Sequence, residues 1–274
     1  MNAPALKSEG NGNLSDAARR RLLSRKGEPL FYSDWLRAVF IHFEVDAELL
    51  QCSIPFPLDL RDGKAYVSLV AFTMKELRPC WGGRATAWLF APIATHGLLN
   101  VRTYVRHEGE PGIYFISEWI PNRLSELVGP HTFGLPYRHG QLRYEHQAET
   151  GMLKGTVTAG PNALAYEAGI NANIKFVSCP ANSLEEFFIE RYTAFTSRGS
   201  HRRYFRIWHP PWLQTKIDLR ICNDSLLIKN FPWYRTAKFV GANYAPGAAC
   251  VWMGRPHRIA KPNPFLRPVA LAPA

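Results

Sequence analysis

Residues Leu99–Trp119, LNVRTYVRHEGEPGIYFISEW, decide the fold class. Two runs of alternating residues, Leu99–His107 and Gly112–Trp119, flank Glu108-Gly109-Glu110-Pro111. That tetrapeptide carries turn chemistry, and runs with a period of two on either side of it form a β-hairpin. On the first strand Asn100, Arg102, Tyr104 and Arg106 share one face, and Val101, Thr103 and Val105 share the other.

The same period extends outward from this hairpin. Val39–Val45 alternates, and Ala65–Met74 follows the turn pair Asp62-Gly63 and is rich in β-branched and aromatic residues. Shorter strands are expected at Gln141–His146, Met152–Thr158, Leu164–Tyr166 and Lys216–Cys222. Helical signals are few. Asp46 caps AELLQ (47–51), which Pro55 and Pro57 end, and Asn122 caps Arg123–Val128, which Gly129-Pro130 closes. Ser183 and Glu186 form a capping box ahead of a stripe of Leu184, Phe187, Phe188, Arg191, Tyr192 and Phe195 at helical spacing. Many strands at short spacing with two or three peripheral helices predict an α+β, mainly β, antiparallel barrel-like domain. The lack of strand–helix alternation argues against a doubly wound sheet.

A chain of 274 residues with 46% hydrophobic and 20% charged residues can bury a core. Its net charge of +11 raises nucleic acid and anionic membranes as partners. The charge is unevenly placed. Residues 1–30 hold Lys7, Arg19, Arg20, Arg21, Arg25 and Lys26 against Glu9, Asp16 and Glu28, while 255–274 hold four basic residues and no acidic one. The body, 31–254, is left near neutrality, so nucleic acid is disfavoured except through the ends. The reading is therefore a disordered basic arm (1–30), one domain (31–254) and a Pro-rich tail (255–274), with both ends dispensable for folding. SRGSHRRYFR (197–206) reads as a solvated loop with a weak RNA-like mixture of Arg and aromatic residues. Five dispersed cysteines form no C-x-x-C pair and suit a reducing cytoplasm, and no apolar stretch is long enough to cross a membrane. Oligomeric state stays open.

Motifs for nucleotide binding, α/β-hydrolase or zincin chemistry are absent, so no cofactor is read. His131, His139 and His146 share no spacing that would gather a metal ion, and none is expected.

In order and spacing, FYSDWLRAVFIHFEV (31–45), SIPFPLDLRDGKAYVSLVAFTM (53–74), NVRTYVRHEGEPGIYF (100–115), GLPYRHGQL (134–142), SLEEFFIERYTAF (183–195) and WHPPWLQ (208–214) resemble the YqjF-like proteins, a bacterial family of unknown function. That family is similar to acetoacetate decarboxylase, whose fold is a closed cone-shaped antiparallel β-barrel with a ligand cavity, and the resemblance implies the same here. Acetoacetate decarboxylases carry Phe-Pro-Lys-Lys, the first lysine forming a Schiff base. Pro136 matches the proline, Tyr137 falls on that lysine and Arg138 on its neighbour. A phenol forms no imine, and guanidinium stays protonated, so Schiff-base decarboxylation is excluded. The expected site is a polar cluster of Arg102, Tyr104, Glu118, Tyr137 and Arg138 around a small organic acid or keto compound. Any enzymatic role would be lyase-like or carbonyl chemistry without a lysine. A structural Arg102–Glu118 ion pair, a non-catalytic metabolite sensor and a basic-tailed accessory protein contacting nucleic acid are the alternatives. Arg191 and Tyr192 read as anchors of their helix, and His209 as a satisfied core histidine.

Overall fold

In the computed structural model, which describes residues 12–171 and 174–260, the hairpin forms as β3 (His96–His107) and β4 (Glu110–Ile120). The N-terminal half supplies α1 (Gly12–Leu23), β1 (Pro29–Val45), α2 (Ala47–Gln51) and β2 (Ala65–Pro79) before it. After it come α3 (Arg123–Thr132), β5 (Tyr137–His139), β6 (Gln141–Gln147), β7 (Met152–Ala159), β8 (Asn162–Gly169) and β9 (Val177–Ser178). The C-terminal part contains α4 (Leu184–Ile189), β10 (Thr193–Arg198), β11 (His201–Trp208), β12 (Leu213–Asn223), α5 (Ser225–Asn230), β13 (Lys238–Gly254) and β14 (His257–Arg258).

The strands pair in the order β11-β10-β4-β3-β2-β1-β13, and β13 returns to β11 through Ile207↔Met253 and Trp208↔Trp252. These seven therefore make a ring. The far part of the ladder, β13-β12-β8-β7-β6, continues as a second sheet folded against the ring, where the Tyr144 hydroxyl donates to the Leu98 carbonyl at 2.9 Å. The mainly β expectation holds, with one change of direction: β10 and β5 both run parallel to β4. Close approach of β13 to β1 demands glycine at Gly247, since a Cβ there would lie 2.4 Å from the Trp35 carbonyl oxygen.

Alternation divides the core in two. Val39, Ile41, Val67, Leu69, Leu99 and Val101 point between the ring and the second sheet. Their neighbours Ala38, Phe40, Tyr66, Val70, Phe72, Leu98 and Tyr104 point into the ring.

Several local expectations are corrected. The described part of the N-terminal arm, 12–30, is ordered: α1 docks with Leu22 fully buried, the Ser15 hydroxyl donating to the His209 carbonyl at 2.7 Å, and Arg19 stacked 5.3 Å from both Trp208 and Trp252. A reading based on apolar periodicity does not register a helix held by a hydroxyl and a cation–π contact. Of the C-terminal tail, Arg255 donates its backbone N–H to Glu28 and β14 pairs with β11, while 1–11 and 261–274 lie outside the described residues. The stripe 184–195 is helical only to Ile189, because Arg191 turns back to donate to the Phe187 carbonyl and Thr193–Arg198 find partners in β11 and β4. The basic loop 197–206 is a β-hairpin turning at Gly199, with Phe205 buried and Arg206 facing Glu110. Helix α3 also runs through Gly129-Pro130 to Thr132, and α5 was not expected.

Candidate functional site

Inward positions of adjacent strands bring Asn100 and Arg102 of β3, Glu118 of β4 and Tyr137 of β5 to one cavity inside the ring. It measures about 60 Å³, against on the order of 15 Å³ for one water molecule on the same measure. The rest of the wall is chiefly apolar, with Phe40, Phe72, Phe115, Ile189, Phe205 and Trp212 among its members. A β-bulge sets the polar geometry. Pairing steps from Val101↔Ser117 to Arg102↔Phe115, so Ile116 is extra and Glu118 faces Asn100, where the register of the turn end alone would set it against Leu99.

Asn100 consequently donates Nδ2 to Glu118 Oε1 at 3.1 Å, whereas Arg102 donates Nη2 to the Phe188 carbonyl at 3.0 Å and lies over the Phe40 ring. The Arg102–Glu118 ion pair is not among the ion pairs of the structure. Three buried atoms of this group, Asn100 Oδ1, Arg102 Nε and Glu118 Oε2, have no hydrogen-bond partner. Burial dominates the protonation of all three ionisable members. It raises the Glu118 carboxyl to about 8, against smaller downward effects of Asn100 and Arg102, so Glu118 carries a proton at neutral pH. It also lowers the affinity of Arg102 for its proton and raises the Tyr137 phenol well above its ordinary value, the Glu118 charge adding to the latter.

Tyr137 is seated by helix α3. Its ring packs on Gly129, where a Cβ would come within 2.3 Å of it. Strand alternation then turns Arg138 outward, where it donates to Asn230 Oδ1 at 2.7 Å and covers the Trp119 ring. Arg138 is thus no part of the cavity. Neither is Tyr104. Although it shares the Arg102 face, its hydroxyl bonds Ser68 at 2.5 Å and the Phe188 carbonyl at 3.1 Å, away from the cavity. Ser68 in turn bonds His42, which reaches Asn243 and, through it, Gln214. His42 is neutral, burial and the Arg102 charge driving it down to about 3.

Residues that sequence reasoning left out complete the wall. Arg191 stands at the cavity, held by Asp59 at 2.9 Å and lying 4.2 Å from the centre of the Phe187 ring. His209, lowered to about 4 by burial, also lines it and links it to α1 through its carbonyl. Asn100 was visible beforehand as a member of the Arg102 face. His131 lies on α3, His139 on β5 and His146 on β6, the last bonded to Arg37 and Tyr166.

The DUF2071 family, described as an uncharacterized conserved protein, matches residues 32–246. Uncharacterized protein YqjF of Bacillus subtilis (strain 168) is 30% identical over 198 residues, covering 68% of this chain and 76% of its own. Among solved structures, acetoacetate decarboxylase from Legionella pneumophila has a TM-score of 0.57 at 15% identity, covering 95% of this chain and 98% of its own. The enduracididine biosynthesis enzyme MppR, complexed with pyruvate, has a TM-score of 0.57 at 13% identity, covering 85% and 91%. These structural likenesses show the fold. The chain belongs to the DUF2071 family, with YqjF as a relative.

Proposed function

We propose that this member of the DUF2071 family closes its seven-stranded ring into a cone-shaped barrel that holds a small organic acid or keto compound. The supporting observation is the convergence of Asn100 Oδ1, Arg102 Nε and Glu118 Oε2, all buried and unpartnered, on one small cavity whose wall is chiefly apolar. Each such atom costs about 1–3 kcal/mol in the folded protein. A 2-oxo or 3-oxo acid meets the set: its carboxylate accepts from Arg102 Nε, and its carbonyl oxygen accepts from protonated Glu118. The pyruvate complex of MppR shows an acid of this class on the same fold.

Reactivity in this reading is limited to general-acid polarisation of a carbonyl by Glu118, since Tyr137 supplies no amine. Retention without turnover, as in a sensor, is the second reading, and the phenol at position 137 favours it. Cytoplasmic location is proposed from the cysteine spacing. Contact with nucleic acid through the basic ends is the weaker alternative.

Calorimetric titration with pyruvate and acetoacetate tests the reading. The expected result is saturable binding that Arg102→Met removes with a change in stability of no more than about 2 kcal/mol, because loss of the bond to the Phe188 carbonyl is offset by removal of a buried charge that has no acidic partner. Borohydride reduction in the presence of acetoacetate is expected to leave the mass unchanged. Failure of both acids to bind, or a stoichiometric reduced adduct, overturns the proposal.

A further inference from the structure

Outside the ring cavity lies a second chamber of about 400 Å³, between α3 and the short helical segment Gly83–Ile93. Its lining includes Phe31, Phe90, Ile93, Val128 and Phe133, and among the described residues it contains no Asp, Glu, Lys or Arg. His96, one of its few polar members, faces Ser125 at 3.5 Å, and burial holds it neutral. Four side chains, Met74, Leu135, Tyr137 and Met253, line both chambers. Two are unbranched methionines, which repack at low cost, so the partition is adaptable.

We infer that the two chambers form one binding site for an amphipathic carboxylate, its acid or keto head in the ring and its aliphatic or aromatic tail in the outer chamber. The volumes require the division. A cavity of about 60 Å³ accommodates a head group alone, while the outer chamber is several times larger. The chemistry divides the same way: buried Arg102, Glu118 and Arg191 face the inner space, and the outer space offers almost only carbon. Tyr137 stands at the junction, where its ring closes one chamber from the other or lies along a tail. The inference rests on the small-acid reading above and extends it to a substrate class, acids with an apolar chain.

Competition binding with propanoate, hexanoate, octanoate and decanoate, and with their 2-oxo counterparts, tests it on the full chain. Affinity is expected to rise by up to about fourfold per added methylene once the head is seated. Val128→Asp, at a position 41% exposed and so tolerant of charge, is expected to weaken decanoate at least tenfold while leaving pyruvate unchanged. Phe90→Ala provides a second, uncharged probe of the same wall. Arg102→Met is expected to weaken short and long acids alike. If pyruvate binds and chain length makes no difference, the inference falls and the small-acid reading stands. If no acid binds, both fall. A dimer that Val128→Asp dissociates, with no dependence on chain length, assigns the outer chamber to a second copy of the chain and overturns the inference.

Discussion

Strands β1, β2 and β3 are buried on both faces, yet the two faces differ in kind. Toward the second sheet they present Val39, Ile41, Val67, Leu69, Leu99 and Val101, a chiefly apolar seam in which the Thr103 hydroxyl is satisfied by the Tyr66 carbonyl. Into the ring they present His42, Ser68, Asn100, Arg102 and Tyr104 among Phe40, Val70 and Phe72. The seam is filled chiefly by apolar packing. The interior holds groups that burial penalises, and only some of these are compensated: His42, Ser68 and Tyr104 bond one another, while Asn100, Arg102 and Glu118 each keep an atom unpartnered. Unequal compensation on faces of equal burial separates scaffold from site.

The largest expected effect sharpens that contrast by pH. Glu118 has its ordinary value of 4.5 when unfolded and about 8 when folded. Between these the native state keeps a proton that the unfolded chain has released, so stability falls as pH rises from about 4.5 to 8, by on the order of 5 kcal/mol. Denaturant melts of Glu118→Gln are expected to lose the larger part of this decline, the remainder coming from Glu190, which burial raises to about 7. The histidines act in the opposite sense on the acid side. His42, lowered to about 3, and His146 and His209, lowered to about 4, make stability fall as pH drops below 6.5. A wild-type curve without the decline toward pH 8 would remove Glu118 from the account.

Leu69→Ala breaks the comparison from the seam. Its side chain is fully buried, and a loss of ~3 kcal/mol with unchanged pyruvate affinity is expected in denaturant melts and titration. If pyruvate affinity falls as far as stability does, the two faces do not act separately.

Helix α1 supplies an intermediate case, since it packs against β11, with Ser15 on His209, Arg19 over Trp208 and Leu22 buried. Leu22→Ala is expected to lose about 2 kcal/mol, and removal of residues 1–23 to lower the melting temperature by several degrees. A truncated chain that melts with the wild type would return the segment to the status of a dispensable arm.

Arg138→Met marks the lower end of the scale. The side chain is outside the ring and its partner Asn230 is neutral, so stability is expected to change by no more than about 0.5 kcal/mol and acid binding not at all. Loss of acid binding in this variant would put Arg138 back in the site.

The division between legible and hidden features follows the range of the interaction involved. The β3–β4 hairpin, the caps at Asp46, Asn122 and Ser183, and the common face of Asn100, Arg102 and Tyr104 depend on neighbours in the chain. Each could be read directly, and each cap bonds as expected, with Asp46 accepting from Leu49, Asn122 from Ser125 and Ser183 from Glu186. The cluster expected from the sequence held both Tyr137 and Arg138, whereas alternation on β5 lets one of them face inward, and that one is Tyr137. What remained hidden depends on residues far apart in sequence. Helix α1 exists as a docked element because Trp208 and Trp252 meet Arg19. The helix of 184–195 ends at Ile189 because Asp59, more than a hundred positions earlier, holds Arg191.

The mainly β character of the chain and the shared face of Asn100, Arg102 and Tyr104 were carried by local sequence alone, and the resemblance to acetoacetate decarboxylase implied a phenol, Tyr137, where that family has its lysine. Long-range pairing and packing set the rest: the bulge at Ile116 puts Glu118 against Asn100, Tyr104 serves Ser68 and Phe188, and Arg102, Glu118 and Tyr137 share one cavity. The physical reason is that periodicity and capping act over a few residues. Register, ring closure and desolvation are properties of strands brought together across most of the chain, and no local window of sequence contains them.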